Sequence, residues 1–93
     1  MRATLHTLEQ TIRQRRSADP STSYVAKLAA RGRAKIAQKV GEEGVEAALA
    51  GVVQGDDELL GESADLLYHL IVLLRARGLS LADVEAVLRA RGG

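Results

Sequence analysis

Two pairs of acidic residues, each pair spaced three positions apart, are the side chains of this sequence best suited to chemistry. Glu43 and Glu46 lie in the segment KVGEEGVEAAL, and Glu62 and Asp65 lie in GESADLLYHL. On a helix, this spacing puts both members of a pair on one face. If the two faces meet, carboxylates about 4 Å apart repel by about 4 kcal/mol at an effective dielectric of about 20. A bound cation would relieve that repulsion.

Oxygen ligands without any thiolate favour a hard cation. The sequence has no Cys and only two His, so a site built from carboxylates is typical of Mg²⁺, or alternatively Mn²⁺, rather than Zn²⁺. Four carboxylates are enough for two such ions, an arrangement suited to displacement at phosphorus. Either pair alone is more typical of a solvated helix surface. The prediction of a metal site therefore depends on the two pairs facing each other.

Helical periodicity runs through almost the whole sequence, and no segment alternates in the manner of a strand. We expect an all-α fold, a bundle of about five helices completed by oligomerisation. The predicted helices run from about Ala3 to Arg16, from a cap at Ser21, Thr22 or Ser23 to about Arg31, from about Arg33 to Gln54, from a cap at Asp56 or Asp57 to about Arg77, and onward from a Ser80–Asp83 capping box.

The segment LLYHLIVLL, residues 66–74, is apolar nearly all the way round its helix. Such a helix must be surrounded by other helices rather than covered on one side. Four other short helices can hardly enclose it, so we expect a homo-oligomer, with a dimer as the simplest case. The short connection around Gly55 makes the helices on either side antiparallel neighbours, so their acidic faces should converge in a partly buried seam.

Composition limits the class of protein further. The 93 residues, 46% of them hydrophobic, predict a single domain over residues 1–93. The start, MRATLHTLEQ, lacks the apolar run of a secretion signal, and the lack of Cys suits a reducing compartment, so we expect a cytoplasmic protein. Residues 1–39 carry nine Lys or Arg against two acids. That segment holds no recognisable binding motif, so we predict neither a nucleic-acid nor a membrane partner.

The acidic motif, E-x-x-E followed after fifteen residues by E-x-x-D, resembles that of the all-α nucleoside triphosphate pyrophosphatases, the MazG-like group. Within that group, SYVAKLAARGRAKIAQKVGEEGVEAALA and ESADLLYHLIVLL are similar to the phosphoribosyl-ATP pyrophosphatase family. The resemblance spans about Leu8 to Arg91. The sequence departs from the family at Val25, where Thr is more frequent, and at Gly44, where Ala is frequent. Some relatives carry a cyclohydrolase domain, which we do not expect in a chain this short.

The resemblance implies an enzyme of the second step of histidine biosynthesis. It would hydrolyse phosphoribosyl-ATP at the α–β phosphate linkage to phosphoribosyl-AMP and pyrophosphate, with Mg²⁺ as cofactor. The implied metal ligands are Glu43, Glu46, Glu62 and Asp65. We expect Glu42 and Glu43 to be catalytic, with Glu42 as a carboxylate that activates water. The expected substrate-binding residues, through contacts with phosphate, are Lys27, Lys35, Lys39 and Arg16.

Two alternative functions and the role of His69 stay open at this point. The same acids would serve a house-cleaning pyrophosphatase that acts on non-standard nucleotides and differs in its base pocket. A non-enzymatic helical dimerisation module would carry the acids as solvated surface and bind no Mg²⁺. His69, one turn after Asp65, either supports the metal site and substrate or is a buried, hydrogen-bonded core histidine.

Overall fold

The computed structural model describes residues 2–92, which form five α-helices and no strand. The helices are α1 (Arg2–Arg15), α2 (Tyr24–Arg31), α3 (Arg33–Val53), α4 (Asp56–Ala76) and α5 (Leu81–Ala90). The prediction of an all-α, five-helix fold is confirmed. Within this part of the chain, none of the helices has the length and apolar character that crossing a membrane would need.

Local capping explains where α2 begins and ends. The Ser23 hydroxyl accepts a hydrogen bond from the Ala26 N–H at 3.2 Å, which satisfies one of the free donors of the first turn. Gly32 ends the helix with φ of +91°, a left-handed conformation that costs glycine little and other residues more. The chain then turns directly into α3, so the two helices share Gly32 as a joint.

The start of α4 differs from the sequence prediction. We expected Asp56 or Asp57 to cap this helix, but Gly55 is the N-cap and no side chain supplies a capping hydrogen bond. With Gly55 in that position, Asp56, Asp57 and Glu58 all fall in the first turn. Three negative charges there stabilise the positive end of the helix dipole, which compensates for the missing side-chain cap.

The two long helices, α3 and α4, form an antiparallel hairpin, as the sequence predicted. Only Gln54 and Gly55 connect them. Gly51 faces Leu59 close to the connection, and Glu43 contacts His69 further along. Helices α3 and α4 share more contacts than any other pair of elements. The hairpin therefore carries the acidic residues and sets their relative positions.

The core lies between the hairpin and the two N-terminal helices. Its buried members are aliphatic and come from four helices: Ile12, Val25, Leu28, Ile36, Ile71 and Val72. Helix α5 contributes no buried residue and is attached at its start, where the Leu81 N–H donates to Glu9 Oε2 at 2.7 Å. The predicted capping box of Ser80 and Asp83 is present there. This core fixes α2 against the hairpin and so places Tyr24 over the seam.

One side of the hairpin stays uncovered in the single chain. Apolar side chains along α3 and α4 face outward there: Val45, Leu49, Val52, Val53, Leu60 and Leu67 are each at least 40% exposed. On α4, His69, Ile71 and Val72 are buried, whereas Leu67 is not. The segment that the sequence analysis expected to be surrounded is thus only partly enclosed within one chain.

Candidate active site

Three of the four predicted metal ligands converge at the seam between α3 and α4. One carboxylate oxygen from each of Glu43, Glu62 and Asp65 lies within 4.8 Å of the other two. Glu43 is buried, with 6% of its surface exposed, while Asp65 lies at the surface. The i, i+3 spacing and the antiparallel hairpin produce this arrangement together. The expected convergence is present for these three residues.

Glu46, the fourth predicted ligand, is exposed but interacts with Glu62. A hydrogen bond shared with the Glu46 carboxyl is the main cause that raises the pKa of Glu62 above its ordinary value of 4.5. Burial and the charges of Glu46, Asp65 and Glu43 raise this pKa further. A hydrogen bond between two carboxyl groups requires a proton, so in the absence of a cation this contact strengthens proton binding at Glu62.

The acidic cluster, defined here as Glu43, Glu46, Glu62 and Asp65, fits a hard cation. Glu62 Oε2 is buried and has no hydrogen-bond partner among residues 2–92. Buried polar atoms are normally paired, so an orphaned carboxylate oxygen indicates a missing partner. Several carboxylate oxygens within reach of one another are the donor set that Mg²⁺, Ca²⁺ and Mn²⁺ prefer. The cluster can therefore bind a metal ion.

The raised pKa of Glu62 makes a prediction about the metal-free protein. Because the folded-state pKa lies above the unfolded value, the folded protein binds this proton more tightly. The resulting stability is fully present below the unfolded pKa and is lost as the pH rises through the folded-state pKa. We therefore expect the melting temperature of wild type, relative to Glu62→Gln, to rise as the pH falls from neutral towards 4.5.

Thermal melts of both proteins in chelator, at one protein concentration, measure this difference directly. Asp19, whose pKa is lowered by its hydrogen bonds with Ser21, acts in the opposite direction but equally in both proteins. Saturating Mg²⁺ should remove most of the pH dependence, since the cation replaces the proton. A difference in melting temperature that does not change with pH would contradict the electrostatic account of the cluster.

His69 is buried and hydrogen-bonded, and its partners belong to the candidate site, so burial does not exclude a supporting role. Its Nδ1 lies 2.9 Å from Glu43 Oε1 and 2.9 Å from the Asp65 carbonyl oxygen. Its Nε2 lies 2.6 Å from the Tyr24 hydroxyl. The rings of Tyr24, Tyr68 and His69 pack against one another, with centroids 5.4 to 6.1 Å apart. Sequence spacing could place His69 near Asp65 but not against Glu43.

A cationic groove of about 270 Å³ adjoins the acidic cluster. Its lining includes Tyr24, Lys27, Leu28, Arg31, Lys35, Gln38, Lys39 and Glu42. Lys39 links the two regions, because its Nζ lies 4.0 Å from Glu43 Oε1. Three of the four predicted substrate-binding residues, Lys27, Lys35 and Lys39, thus share one concave surface.

Glu42, predicted to be catalytic, and Arg16, predicted to bind substrate, both lie outside the acidic cluster. Glu42 faces the groove, where its Oε2 accepts a hydrogen bond from Gln38 Nε2 at 3.2 Å. Arg16 does not line the groove; its Nη1 donates to the Arg75 carbonyl oxygen at 3.1 Å. Arg75 is ten residues beyond Asp65 on α4, about 15 Å along the helix axis. The structure therefore gives Arg16 a contact at the end of α4 and not beside the acidic cluster.

Arg31 is a groove residue that the sequence analysis missed. It lies one turn after Lys27 on α2, and this spacing was the available signal. Arg31 lies at the C-terminal end of its helix, where basic residues are common because they complement the dipole. Because the helix dipole alone accounts for a basic residue there, the sequence did not indicate that Arg31 lines the groove.

The sequence matches one family model and several known proteins. The family model described as phosphoribosyl-ATP pyrophosphohydrolase matches residues 5–92. Over 90 residues, the chain is 56% identical to the phosphoribosyl-ATP pyrophosphatase of Erythrobacter litoralis, covering 97% of this chain and 86% of that protein. It is 66% identical over 87 residues to the histidine biosynthesis bifunctional protein HisIE of Xanthomonas campestris, covering 94% of this chain.

The corresponding protein of Vibrio cholerae is 58% identical over 87 residues. The chain spans 42% of the Xanthomonas protein and 41% of the Vibrio protein, so these bifunctional relatives are more than twice as long as the matched region. A family match over nearly all of the described residues, together with 56% identity to a relative of similar length, settles the relationship. The chain belongs to the phosphoribosyl-ATP pyrophosphohydrolase family.

Proposed function

We propose that the chain hydrolyses phosphoribosyl-ATP at its α–β phosphate linkage, giving phosphoribosyl-AMP and pyrophosphate in histidine biosynthesis. The observation that carries the proposal is the contact between Lys39 and Glu43, where the cationic groove meets the acidic cluster. A polyphosphate suits both surfaces, because cationic side chains would bind its oxygens and the carboxylates would hold a cation that offsets its negative charge. The names of the relatives support this choice of substrate.

Mg²⁺ is the cofactor that suits the acidic cluster best, with Mn²⁺ as a substitute. Glu43, Glu62 and Asp65 would hold it, because their carboxylate oxygens already lie together, and Glu46 would complete the set. When bound, Mg²⁺ offsets negative charge on the phosphates and favours attack at phosphorus. Glu62 Oε2, which has no partner among the described residues, would gain one.

The groove residues have a separate task in this proposal. Lys27, Lys35 and Lys39 bind phosphate oxygens and hold the linkage against the acidic cluster. Glu42, on the groove wall, accepts the proton of the attacking water. The water oxygen forms a bond to one phosphorus of the linkage, the bridging P–O bond breaks, and the bridging oxygen leaves with the other phosphate group.

The partner that fits the uncovered side of the hairpin is a second copy of this chain. Val45, Leu49 and Val52 lie along one stripe of α3 and are 55% to 82% exposed. A two-fold axis would place two such hairpins face to face as a four-helix bundle, which buries both stripes. We therefore propose a homodimer. The cytoplasmic location expected from the sequence stays a prediction.

A pyrophosphate-release assay tests the proposed activity. The protein is incubated with phosphoribosyl-ATP, with and without Mg²⁺, beside a panel of standard and non-standard nucleoside triphosphates. We expect Mg²⁺-dependent release from phosphoribosyl-ATP with the highest kcat/KM of the panel. A higher kcat/KM on a non-standard nucleotide would instead identify a house-cleaning pyrophosphatase, and no release from any compound would favour a non-enzymatic module.

Lys39→Met separates phosphate contacts from metal contacts. We expect kcat/KM on phosphoribosyl-ATP to fall about ten- to a hundredfold, the usual loss for a hydrogen bond to a charged group. The affinity for Mg²⁺ should stay the same or rise, because a positive charge 4.0 Å from Glu43 has been removed. Calorimetric titration with Mg²⁺ and steady-state kinetics on the same variant measure both quantities.

A matched control is Arg13→Met, which removes one positive charge from the last turn of α1, outside the groove. It should leave kcat/KM near wild type. If Lys39→Met also retains wild-type kcat/KM, Lys39 contributes only its helix pair with Glu43, worth about 0.3–0.5 kcal/mol.

A further inference from the structure

The hydrogen atoms around His69 follow from its neighbours. Nδ1 faces two acceptors, the Glu43 carboxylate and the Asp65 carbonyl, each at 2.9 Å. A carbonyl oxygen cannot donate, so Nδ1 must carry the hydrogen and share it between the two. In the neutral ring, Nε2 is then an acceptor, and the Tyr24 hydroxyl donates to it at 2.6 Å. The contacts of the two ring nitrogens thus assign the tautomer with its hydrogen on Nδ1.

His69 and Lys39 both approach the same oxygen of Glu43. His69 Nδ1 lies 2.9 Å from Oε1 and Lys39 Nζ lies 4.0 Å from it. The other oxygen takes no hydrogen bond from the part of the chain that the structure describes. A carboxylate fixed through one oxygen presents the second in one direction and loses little further rotational freedom when a cation arrives.

We propose that His69 and Tyr24 are positioning residues, which orient the Glu43 carboxylate for cation binding. His69 holds Oε1, and the Tyr24 hydroxyl fixes the tautomer and ring orientation that allow His69 to do so. Neither residue touches the cation. The proposal rests on the proposed function for the identity of the cation and the substrate, but the orientation of Glu43 is a property of the chain itself.

Burial strengthens this arrangement. Glu43 is 6% exposed and His69 is 7% exposed, so their 2.9 Å contact lies where water competes poorly. Tyr24 also lines the cationic groove. Its side chain therefore contacts both the groove, where phosphate would bind, and His69, whose ring orients Glu43. Removing the Tyr24 hydroxyl therefore perturbs Glu43 without changing any residue of the acidic cluster.

Two substitutions of His69 differ only in where they put an amide donor. His69→Asn places its N–H₂ near the former Nδ1 and can still donate to Glu43. His69→Gln places it near the former Nε2, toward Tyr24 and away from Glu43. Both are polar, neutral amides, so a purely structural role for His69 would not favour Asn in the way that a donor to Glu43 does.

The first readout needs no substrate. We titrate the full-length variants with Mn²⁺ and follow free Mn²⁺ by electron paramagnetic resonance. We expect His69→Gln to bind Mn²⁺ at least about tenfold more weakly than wild type, the usual loss when a residue supporting a metal ligand is removed. His69→Asn should lie within about threefold of wild type, and Tyr24→Phe should lose about threefold. Equal Mn²⁺ affinity of the Asn and Gln variants would overturn the proposal.

The second readout is the Mg²⁺ dependence of pyrophosphate release from phosphoribosyl-ATP. In His69→Gln, the Mg²⁺ concentration for half-maximal activity should rise about tenfold, while kcat at saturating Mg²⁺ stays within about threefold of wild type. A fall in kcat that Mg²⁺ does not restore would overturn a positioning role. If no variant, nor wild type, hydrolyses phosphoribosyl-ATP, the proposed function fails, and the Mn²⁺ affinities still decide the role of His69 and Tyr24.

Discussion

We expect Glu62→Gln to lower kcat on phosphoribosyl-ATP by about a hundredfold or more, the scale of losing one electrostatic group at a reacting centre. Glu62 interacts with Glu46 and lies with Glu43 and Asp65 in the acidic cluster. An amide keeps the shape of the side chain but withdraws one negative charge and one anionic oxygen from a bound cation. Steady-state kinetics at saturating Mg²⁺ measure the loss.

The same substitution should leave the metal-free protein at least as stable as wild type near neutral pH. Mutual repulsion of the carboxylates is removed, and the amide can donate a hydrogen bond to Glu46. Thermal melts with and without Mg²⁺ should therefore show a large Mg²⁺-dependent rise in melting temperature for wild type and a small one for Glu62→Gln.

Glu58→Gln is the matched control for this prediction. It makes the same chemical change one turn earlier on α4, at an exposed position outside the acidic cluster. Its kcat and its response to Mg²⁺ should remain near wild type. A Glu62→Gln protein that melts far below wild type yet keeps full activity would show that Glu62 has a structural role only.

We expect Leu49→Glu to raise the dissociation constant of the dimer at least about a hundredfold, because charge is poorly tolerated in a desolvated interface. In the single chain, Leu49 is 55% exposed and lies on the apolar stripe of α3. A two-fold interface contains each substitution twice, so two carboxylates would enter one buried surface. Sedimentation equilibrium at low micromolar concentration should show a dimer for wild type and a smaller or unfolded species for the variant.

Gln10→Glu adds the same charge at an exposed position of α1 and should sediment like wild type. Circular dichroism at each concentration shows whether dissociation and loss of helix coincide. A stable, helical wild-type monomer at low micromolar concentration would contradict the proposed dimer, as would a Leu49→Glu protein with an unchanged dissociation constant.

The sequence was most informative where local rules act alone. Ser80 and Asp83 predicted the start of a helix, and the spacing of the acids predicted that each pair shares one helix face. The start of α4 was predicted wrongly, because three acids in one turn satisfy the helix dipole without any of them acting as a cap. Gly and Asp are both favoured at the N-cap, so the local sequence could not decide whether Gly55 or Asp56 caps α4.

Contacts between helices were harder to obtain from the sequence. The meeting of Glu43 with His69 depends on the relative position of α3 and α4 along their axes, which periodicity within each helix does not specify. Tyr24 reaches His69 only because α2 packs across the hairpin through Val25 and Leu28. The acids could therefore be identified from the sequence, but the residues that orient them could be identified only from the packed structure.

The two-residue connection between α3 and α4 also bears on how fast the protein folds. Hairpin contacts are local in sequence, so they close at little entropic cost and tend to form early. All four residues of the acidic cluster lie within this hairpin, so the cluster can form before distant segments pack against it. We expect carboxylate repulsion to destabilise the folding transition state already. A divalent cation bound at that stage would offset the repulsion and lower the folding barrier. The cation would then act on the folding rate as well as on the finished site.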